Sequence, residues 1–530
     1  MSSTFSAPLL DLAPTWDHVA STLRSEPFAT AVLPAFIRER RWFAGKAWPL
    51  RRIALVQLLP VGSDASGRLA LLRAEFLEAA PEIYLLPLQL TTADGPTPGA
   101  IARFRDGAGE RVLVDAMEDA AFRTALFQLM RQEKRLAADD GELIGICGAA
   151  LRTQTPDPTQ QLPSRVIVAE QSNSSALYDG RFFLKLYRKP ESGENPDAEL
   201  LRFLSEQQHF AQVPAFCGAI EWQAPATPPR VLGLLVAHVE NQGDAWAFTL
   251  AELAGFYARV RAGRTPADAA SPEVLARTLG DRFPARAQLL GVRTAQMHLA
   301  FSADAQTPQF APERFTAADL RTWVESMAEG TRRMCELLGQ GSGRLPESAR
   351  AEAAAVLARK AEILQRPQRL LARPIEATRT RHHGDYHLGQ VLVTVDDLVI
   401  LDFEGEPARS LAERRMKRTP LRDVAGMLRS FHYAAHTALG QARRSDGADD
   451  VLLAPWAERW AQEIGDLFLG SYLATASGAP FLPQHPDTLT LLLEACLLEK
   501  ATYEVCYELN NRPDWAHIPL RGIARILDGK

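Results

Sequence analysis

Arg381-His-His-Gly-Asp-Tyr-His-Leu-Gly-Gln390, followed by Ile400-Leu-Asp-Phe-Glu-Gly-Glu-Pro407, decides how this chain is read. The two stretches set Asp385, Gln390 and Asp402 in the order His-Gly-Asp-x4-Gln…Asp-Phe-Glu. Phosphoryl transfer needs one carboxylate to orient the attacking hydroxyl and to take its proton late in the step. It also needs a carboxamide and a second carboxylate to hold Mg²⁺ on nucleotide phosphates. Asp385 is the expected catalytic base, and Gln390 and Asp402 are the expected metal ligands. Either Asp alone reads more naturally as a turn cap or an ion-pair partner. Their joint spacing favours the shared chemistry, because a hairpin, Gln390–Thr394 with Leu398–Phe403, fills the gap around Asp396-Asp397. His383 is expected to orient this loop through backbone hydrogen bonds, and His387 lies within reach of a sugar hydroxyl.

Upstream lies a second ordered pattern. Arg165-Val-Ile-Val-Ala-Glu170 reads as a strand, and Gln171-Ser-Asn-Ser-Ser175 as a polar loop. Ala176–Tyr178 and Arg181–Tyr187 pair around Asp179-Gly180, a strong short hairpin signal. A helix begins at Pro196, with acids in its first turn, and Val231–Val239 is a further strand. This order suits a nucleotide-binding lobe. Gln171, Ser172, Asn173, Ser174 and Ser175 stand where a phosphate-covering loop belongs, although the loop has no glycine. Lys185 is expected to reach the α/β-phosphates, aimed by an ion pair with Glu199. Ala237 and Val239 stand at the position of an adenine-contacting hinge.

Residues 53–60, 69–76 and 81–90 read as strands, and 116–150 as largely helical, with Phe122, Leu126, Leu129 and Met130 on one face. Helical patterns dominate from about residue 246. Gly45, after Arg38-Glu-Arg-Arg-Trp-Phe-Ala, reads as the residue just past a helix end. In the last long helix, Tyr503, Glu504, Tyr507 and Glu508 repeat at helical spacing, and aromatic rings beside acids suit a carbohydrate.

The 530 residues exceed one ordinary core and imply two or three domains. A net charge of −5 gives no nucleic-acid footprint. Five scattered cysteines with no paired spacing fit a reducing, cytoplasmic setting. No signal peptide and no membrane-length apolar run is visible, so no membrane partner is expected, and the chain reads as a monomer or weak oligomer.

Taken together, these residues resemble bacterial maltokinases. The likeness rests on Arg41-Trp-Phe-Ala-Gly-Lys46, Gln171–Ser175, Asn195–Glu199, His383–Gln390, Asp402–Pro407, Pro420–Phe431 and Tyr507–Trp515. It implies an α+β, bilobal protein-kinase-like fold of the aminoglycoside-phosphotransferase type. Residues 1–115 would be an N-terminal cap subdomain, 116–240 a β-rich nucleotide lobe and 241–530 a mostly helical lobe with the catalytic loop and sugar site. It further implies ATP with Mg²⁺, and transfer to the anomeric hydroxyl of maltose, feeding α-glucan and glycogen synthesis. His387, Glu404, Tyr503, Glu504 and Tyr507 would line the sugar, and trehalose synthase is an implied partner. The alternatives are a kinase for another sugar such as glucosamine, or a non-catalytic kinase-like partner of trehalose synthase. The hinge sequence Val236-Ala-His-Val239 departs from the family pattern, and residues 263–315 match poorly and receive no role.

Overall fold

The structure, a computed structural model, describes residues 5–62, 67–92, 97, 99–107, 109–167, 172–341, 345–372, 374–446 and 450–529. The chain divides into two compact units: Met1–Gln207 with Pro214–Val239, and Gln208–Val213 with Glu240–Lys530.

The first unit holds two sheets. Strands β1 (Leu9–Leu10), β2 (Leu50–Val61), β3 (Gly67–Phe76), β4 (Glu82–Thr92), β5 (Ala100–Asp106) and β6 (Gly109–Asp115) form the first, in the order β1-β5-β6-β4-β3-β2. Every pair is antiparallel except β1 with β5. Alternation along β3 gives the sheet two dry faces. Ala70, Leu72 and Ala74 face Phe36, Ile37, Phe43 and Tyr84 in one core. Leu69 and Leu71 join Phe122, Leu126, Tyr178 and Leu184 in another. Residues 1–115 and 116–240 therefore share a core.

Strands β7 (Arg135–Ala137), β8 (Glu142–Cys147), β9 (Ser164–Ile167), β10 (Ser174–Tyr178), β11 (Phe182–Leu186), β12 (Phe216–Gln223) and β13 (Arg230–Ala237) form the second sheet, in the order β7-β8-β12-β13-β11-β10-β9. The Asp179-Gly180 turn joins β10 to β11 with positive φ at both residues, 50° and 68°, as a tight hairpin turn requires. Asn195 caps the helix Pro196–Arg202 by accepting from the Ala198 N–H at 3.1 Å.

Two expectations fail here. Residues 116–150 are helical over a 3₁₀ turn Ala116–Glu118, over Ala120–Arg131 and at the start of Ala149–Gln154, with β7 and β8 between the last two. Burial in β8 alternates with period two, a strand pattern hidden behind the strong helical periodicity before it. Gly45 does not end a helix. It lies in a short 3₁₀ turn with φ −74°, while the preceding helix stops at Arg38.

The second unit is mostly helical, with long helices at Ala245–Gly263, Arg282–Ser302, Ala317–Gly341, Leu421–Asp446, Asp450–Thr475 and Pro486–Asn511. A two-stranded hairpin, Val391–Val393 with Leu398–Ile400, follows the His-Gly-Asp segment. Among the described residues no helix is long and apolar enough to cross a membrane.

Candidate active site

The His383–Gln390 loop hangs from the helix Leu421–Asp446. The backbone N–H groups of His383 and Gly384 donate to Asp423, at 2.7 Å to Oδ2 and 2.9 Å to Oδ1. Gly426 lets that helix approach, since a Cβ there would fall 2.5 Å from the Tyr386 carbonyl oxygen. Leu388 N–H donates to Ser430 Oγ at 3.1 Å. Asp423 is 1% exposed and also meets His298 Nε2 at 3.1 Å. Burial alone would raise its pKa, but the His298 hydrogen bond and the nearby histidine ring charges hold it far below the carboxylate range. His298 lies in the helix Arg282–Ser302, inside the stretch that received no role from the sequence.

His383 orients the loop as the sequence suggested. Its Nε2 lies 2.8 Å from the Leu401 carbonyl oxygen, and its ring packs 4.8 Å from that of Phe403. This joins the His-Gly-Asp segment to the Asp-Phe-Glu segment. Gln390 Nε2 donates to Asp402 Oδ2 at 2.9 Å, so the two expected metal ligands are neighbours. Asp402 adopts φ +63°, a conformation uncommon outside glycine, Asn and Asp. An all-oxygen pair, carboxylate with carboxamide carbonyl, suits Mg²⁺ rather than a softer ion.

The sequence missed Lys500. It reaches in from the helix Pro486–Asn511, with Nζ 3.3 Å from Asp385 Oδ1 and 3.0 Å from Glu406 Oε1. Burial opposes its charge, but Asp385, Glu406 and Glu504 outweigh that and keep it protonated above the ordinary lysine range. Glu406 also accepts from Arg409 Nε at 2.7 Å. Burial pushes its carboxyl up, yet the two cations prevail and bring it to about 2. Only the i, i+3 and i, i+7 spacing of Lys500 from Tyr503 and Tyr507 could have signalled its place on the aromatic face.

The sugar-contact expectations divide. Tyr503 and Tyr507 stack with ring centroids 6.4 Å apart, and Tyr507 is 45% exposed. Glu504 is instead buried and paired, with Arg429 Nε donating to it at 2.8 Å. His387 first serves its own loop, accepting from the Gly389 N–H at 3.1 Å. Glu404 offers its backbone carbonyl to Arg414 Nη1 at 3.0 Å.

In the first unit, Lys185 Nζ lies 3.2 Å from Asp197 Oδ2, which also accepts from Tyr187 OH at 3.1 Å. Asp197, two residues before Glu199, is a partner of Lys185 that the sequence reading did not name. The polar loop is shorter than expected. Ser174 and Ser175 belong to β10, Ser175 opposite Lys185 and fully buried. Ser174 Oγ accepts from Arg188 Nε at 2.7 Å, and Asn173 Oδ1 from the Arg188 N–H at 3.4 Å. Ser172 is exposed, and Gln171 lies outside the described residues. Arg188 is 2% exposed, donates to Asp115 Oδ2 at 2.7 Å and stacks 4.8 Å from the Trp42 ring. At the expected hinge, the Ala237 N–H already donates to the Ala215 carbonyl at 2.9 Å and the His238 N–H to the Arg181 carbonyl at 2.7 Å. Both N–H groups are therefore engaged within the first unit.

Residues 36–119 match the maltokinase N-terminal cap domain family. The chain is 26% identical over 475 residues to a glucosamine kinase of Streptacidiphilus jiangxiensis, covering 86% of this chain and 98% of that one. It is 26% identical over 368 residues to a glucosamine kinase of Mycolicibacterium smegmatis, covering 69% and 79%. A solved glucosamine kinase in complex with glucosamine, ADP and inorganic phosphate matches with a TM-score of 0.62 at 20% identity, over 97% of this chain and 99% of that one. Another crystal form of glucosamine kinase gives 0.63 at 21%, over 97% and 100%. The chain thus has a protein-kinase-like α+β fold carrying an N-terminal cap of the maltokinase type.

Proposed function

We propose that this protein is an ATP-dependent sugar kinase, with maltose as acceptor and maltose 1-phosphate as product. The observation that carries the reading is the joined loop pair: Asp385 on a backbone anchored by Asp423, beside Gln390 and Asp402 in mutual contact. Asp385 accepts the hydrogen bond of the acceptor hydroxyl. The hydroxyl oxygen attacks the γ-phosphorus of ATP, the bond to the β,γ-bridging oxygen breaks, and the proton passes to Asp385 as ADP leaves. Mg²⁺, held by Gln390 and Asp402, would neutralise charge on the phosphate oxygens. Lys185, steadied by Asp197, would bind the α/β-phosphates. The cap match and the Tyr503–Tyr507 pair, a platform for a second sugar ring, support maltose. A second reading, glucosamine as acceptor, is favoured by the names of the relatives.

Purified protein with Mg-ATP and separate maltose, glucose, glucosamine, trehalose and an aminoglycoside decides between them. Maltose-dependent ADP release with an anomeric phosphate by NMR is the expected result. Turnover confined to glucosamine would overturn the maltose assignment.

A further inference from the structure

The helix Pro486–Asn511 places a lysine against the carboxylate assigned as the base, and that lysine has no counterpart in the catalytic loop itself, His383–Gln390. Lys500 occupies Asp385 Oδ1, and among the described residues no hydrogen bond reaches Oδ2. One oxygen is thus held and the other remains for an acceptor hydroxyl. The surrounding glutamates each have a cationic partner as well. Glu406 carries Lys500 and Arg409, Glu499 carries Arg422 at 2.7 Å, and Glu504 carries Arg429. The residues lining this recess include Arg409, Arg422 and Lys500 beside Glu406, Glu499 and Asp423, and Asp423 is already satisfied by His298 and two backbone N–H groups. Its volume of about 30 Å³ admits one or two waters and no sugar ring. A sugar using this site would therefore lie at its mouth, beside Tyr503, whose ring has Lys500 Nζ 5.3 Å from its centroid.

A sugar ammonium is recognised by a carboxylate that lacks a cation. Here a second ammonium would have to approach the pair that Lys500 already neutralises, and like charges at such range repel. A neutral hydroxyl meets no such cost: it donates to Asp385 Oδ2 while Lys500 keeps Oδ1.

We infer that Lys500 is a specificity-determining and positioning residue. Its ammonium, held between Asp385 and Glu406, fixes the rotamer of the base and directs the site to neutral sugars over amino sugars. This rests on the reading of Asp385 as the base.

Glucose and glucosamine differ by a single hydroxyl-to-ammonium exchange and so form the test pair, with maltose as the second neutral acceptor. The native protein is expected to use glucose or maltose with a kcat/KM at least about 10-fold above that for glucosamine near pH 7. Lys500→Ala should lower kcat/KM for the neutral sugars about 100-fold and move the glucosamine-to-glucose ratio about 10-fold or more towards glucosamine. Added ethylammonium should restore neutral-sugar turnover in that variant, saturably, and leave the native protein unchanged. Lys500→Arg keeps the charge and should keep the preference, which guards against a fold effect in the alanine variant. An unchanged ratio in Lys500→Ala, or glucosamine used by the native protein as well as glucose, overturns the inference and leaves the kinase reading standing. If no sugar turns over, the kinase reading falls, and calorimetric binding of the same sugars still judges the charge claim: glucosamine bound as tightly as glucose refutes it.

Discussion

The His-Gly-Asp loop hangs on one carboxylate, the segment that opens β10 on one guanidinium. Asp423 takes two consecutive backbone N–H groups, His383 and Gly384, and is itself braced by His298 and, behind it, by Tyr472 OH at 2.9 Å from His298 Nδ1. Arg188 instead grips side chains, Ser174 Oγ and Asp115 Oδ2, beneath the Trp42 ring. A backbone grip fixes the path of the chain at the residue next to Asp385, where, on the proposed reading, small displacements cost rate. A side-chain grip lets a glycine-free loop take its set from a separate sheet. The two anchors differ in what they hold, so removing them should damage different kinetic constants.

The largest effect is expected at Asp385, in the loop that Asp423 holds. On the proposed reading Asp385→Asn keeps the loop intact and removes the base, lowering kcat about 10²–10⁴-fold with little change in the KM for ATP. An ADP-release assay measures both, and near-native turnover would remove Asp385 from its role. Asp423→Ala should follow. It strands two buried N–H groups and His298, costing about 3–5 kcal/mol of stability by denaturant unfolding, with kcat falling because Asp385 loses its fixed path. A fully active, equally stable variant would mean the loop is held elsewhere.

Acid sharpens the comparison. Glu406, 6% exposed, sits at about 2 in the fold against about 4.3 for a free Glu. Its contribution is complete above the unfolded value and is lost as pH falls from about 4 to 2, about 3 kcal/mol in all. Glu406→Gln should flatten that acid limb in a plot of Tm against pH. Arg188→Met is a smaller, differently placed change, about 1.5–3 kcal/mol, because Asp115 and Ser174 keep partial access to water. It should raise the KM for ATP more than it lowers kcat. Equal effects on both constants would erase the contrast with Asp423.

Much of this was legible in the sequence because local chemistry forces it. Asp179-Gly180 demands a tight turn, Asn195-Pro196 a helix start, and the His-Gly-Asp and Asp-Phe-Glu segments a shared site. What escaped was carried by distant residues. His298 and Lys500 lie 125 and 115 positions from the atoms they hold, Asp423 and Asp385, and no periodicity links such pairs. Arg188 read as an ordinary residue after a strand, since its partners Asp115 and Trp42 belong to another sheet and its flanking turn. β8 was lost because six residues of alternation carry less signal than the twelve-residue helix before them.

The smallest prediction asks whether the first sheet does more than fill space. Trp42 is 9% exposed, packs near Tyr84 at 6.1 Å and lies over the Arg188 guanidinium, so its ring both fills a core and holds a cation. Trp42→Leu removes the face the guanidinium rests on, worth about 0.5–2 kcal/mol. Trp42→Phe keeps a ring while also shrinking the core. If the cation contact sets Arg188, and Arg188 sets Ser174, the leucine variant should raise the KM for ATP by about 2- to 30-fold, the span of that energy, and the phenylalanine variant should recover most of it. If both variants lose the same few degrees of Tm and neither moves the KM for ATP, Trp42 is packing alone. The guanidinium anchor would then be set by Asp115 and the strand, and the first sheet would support β10 without steering it.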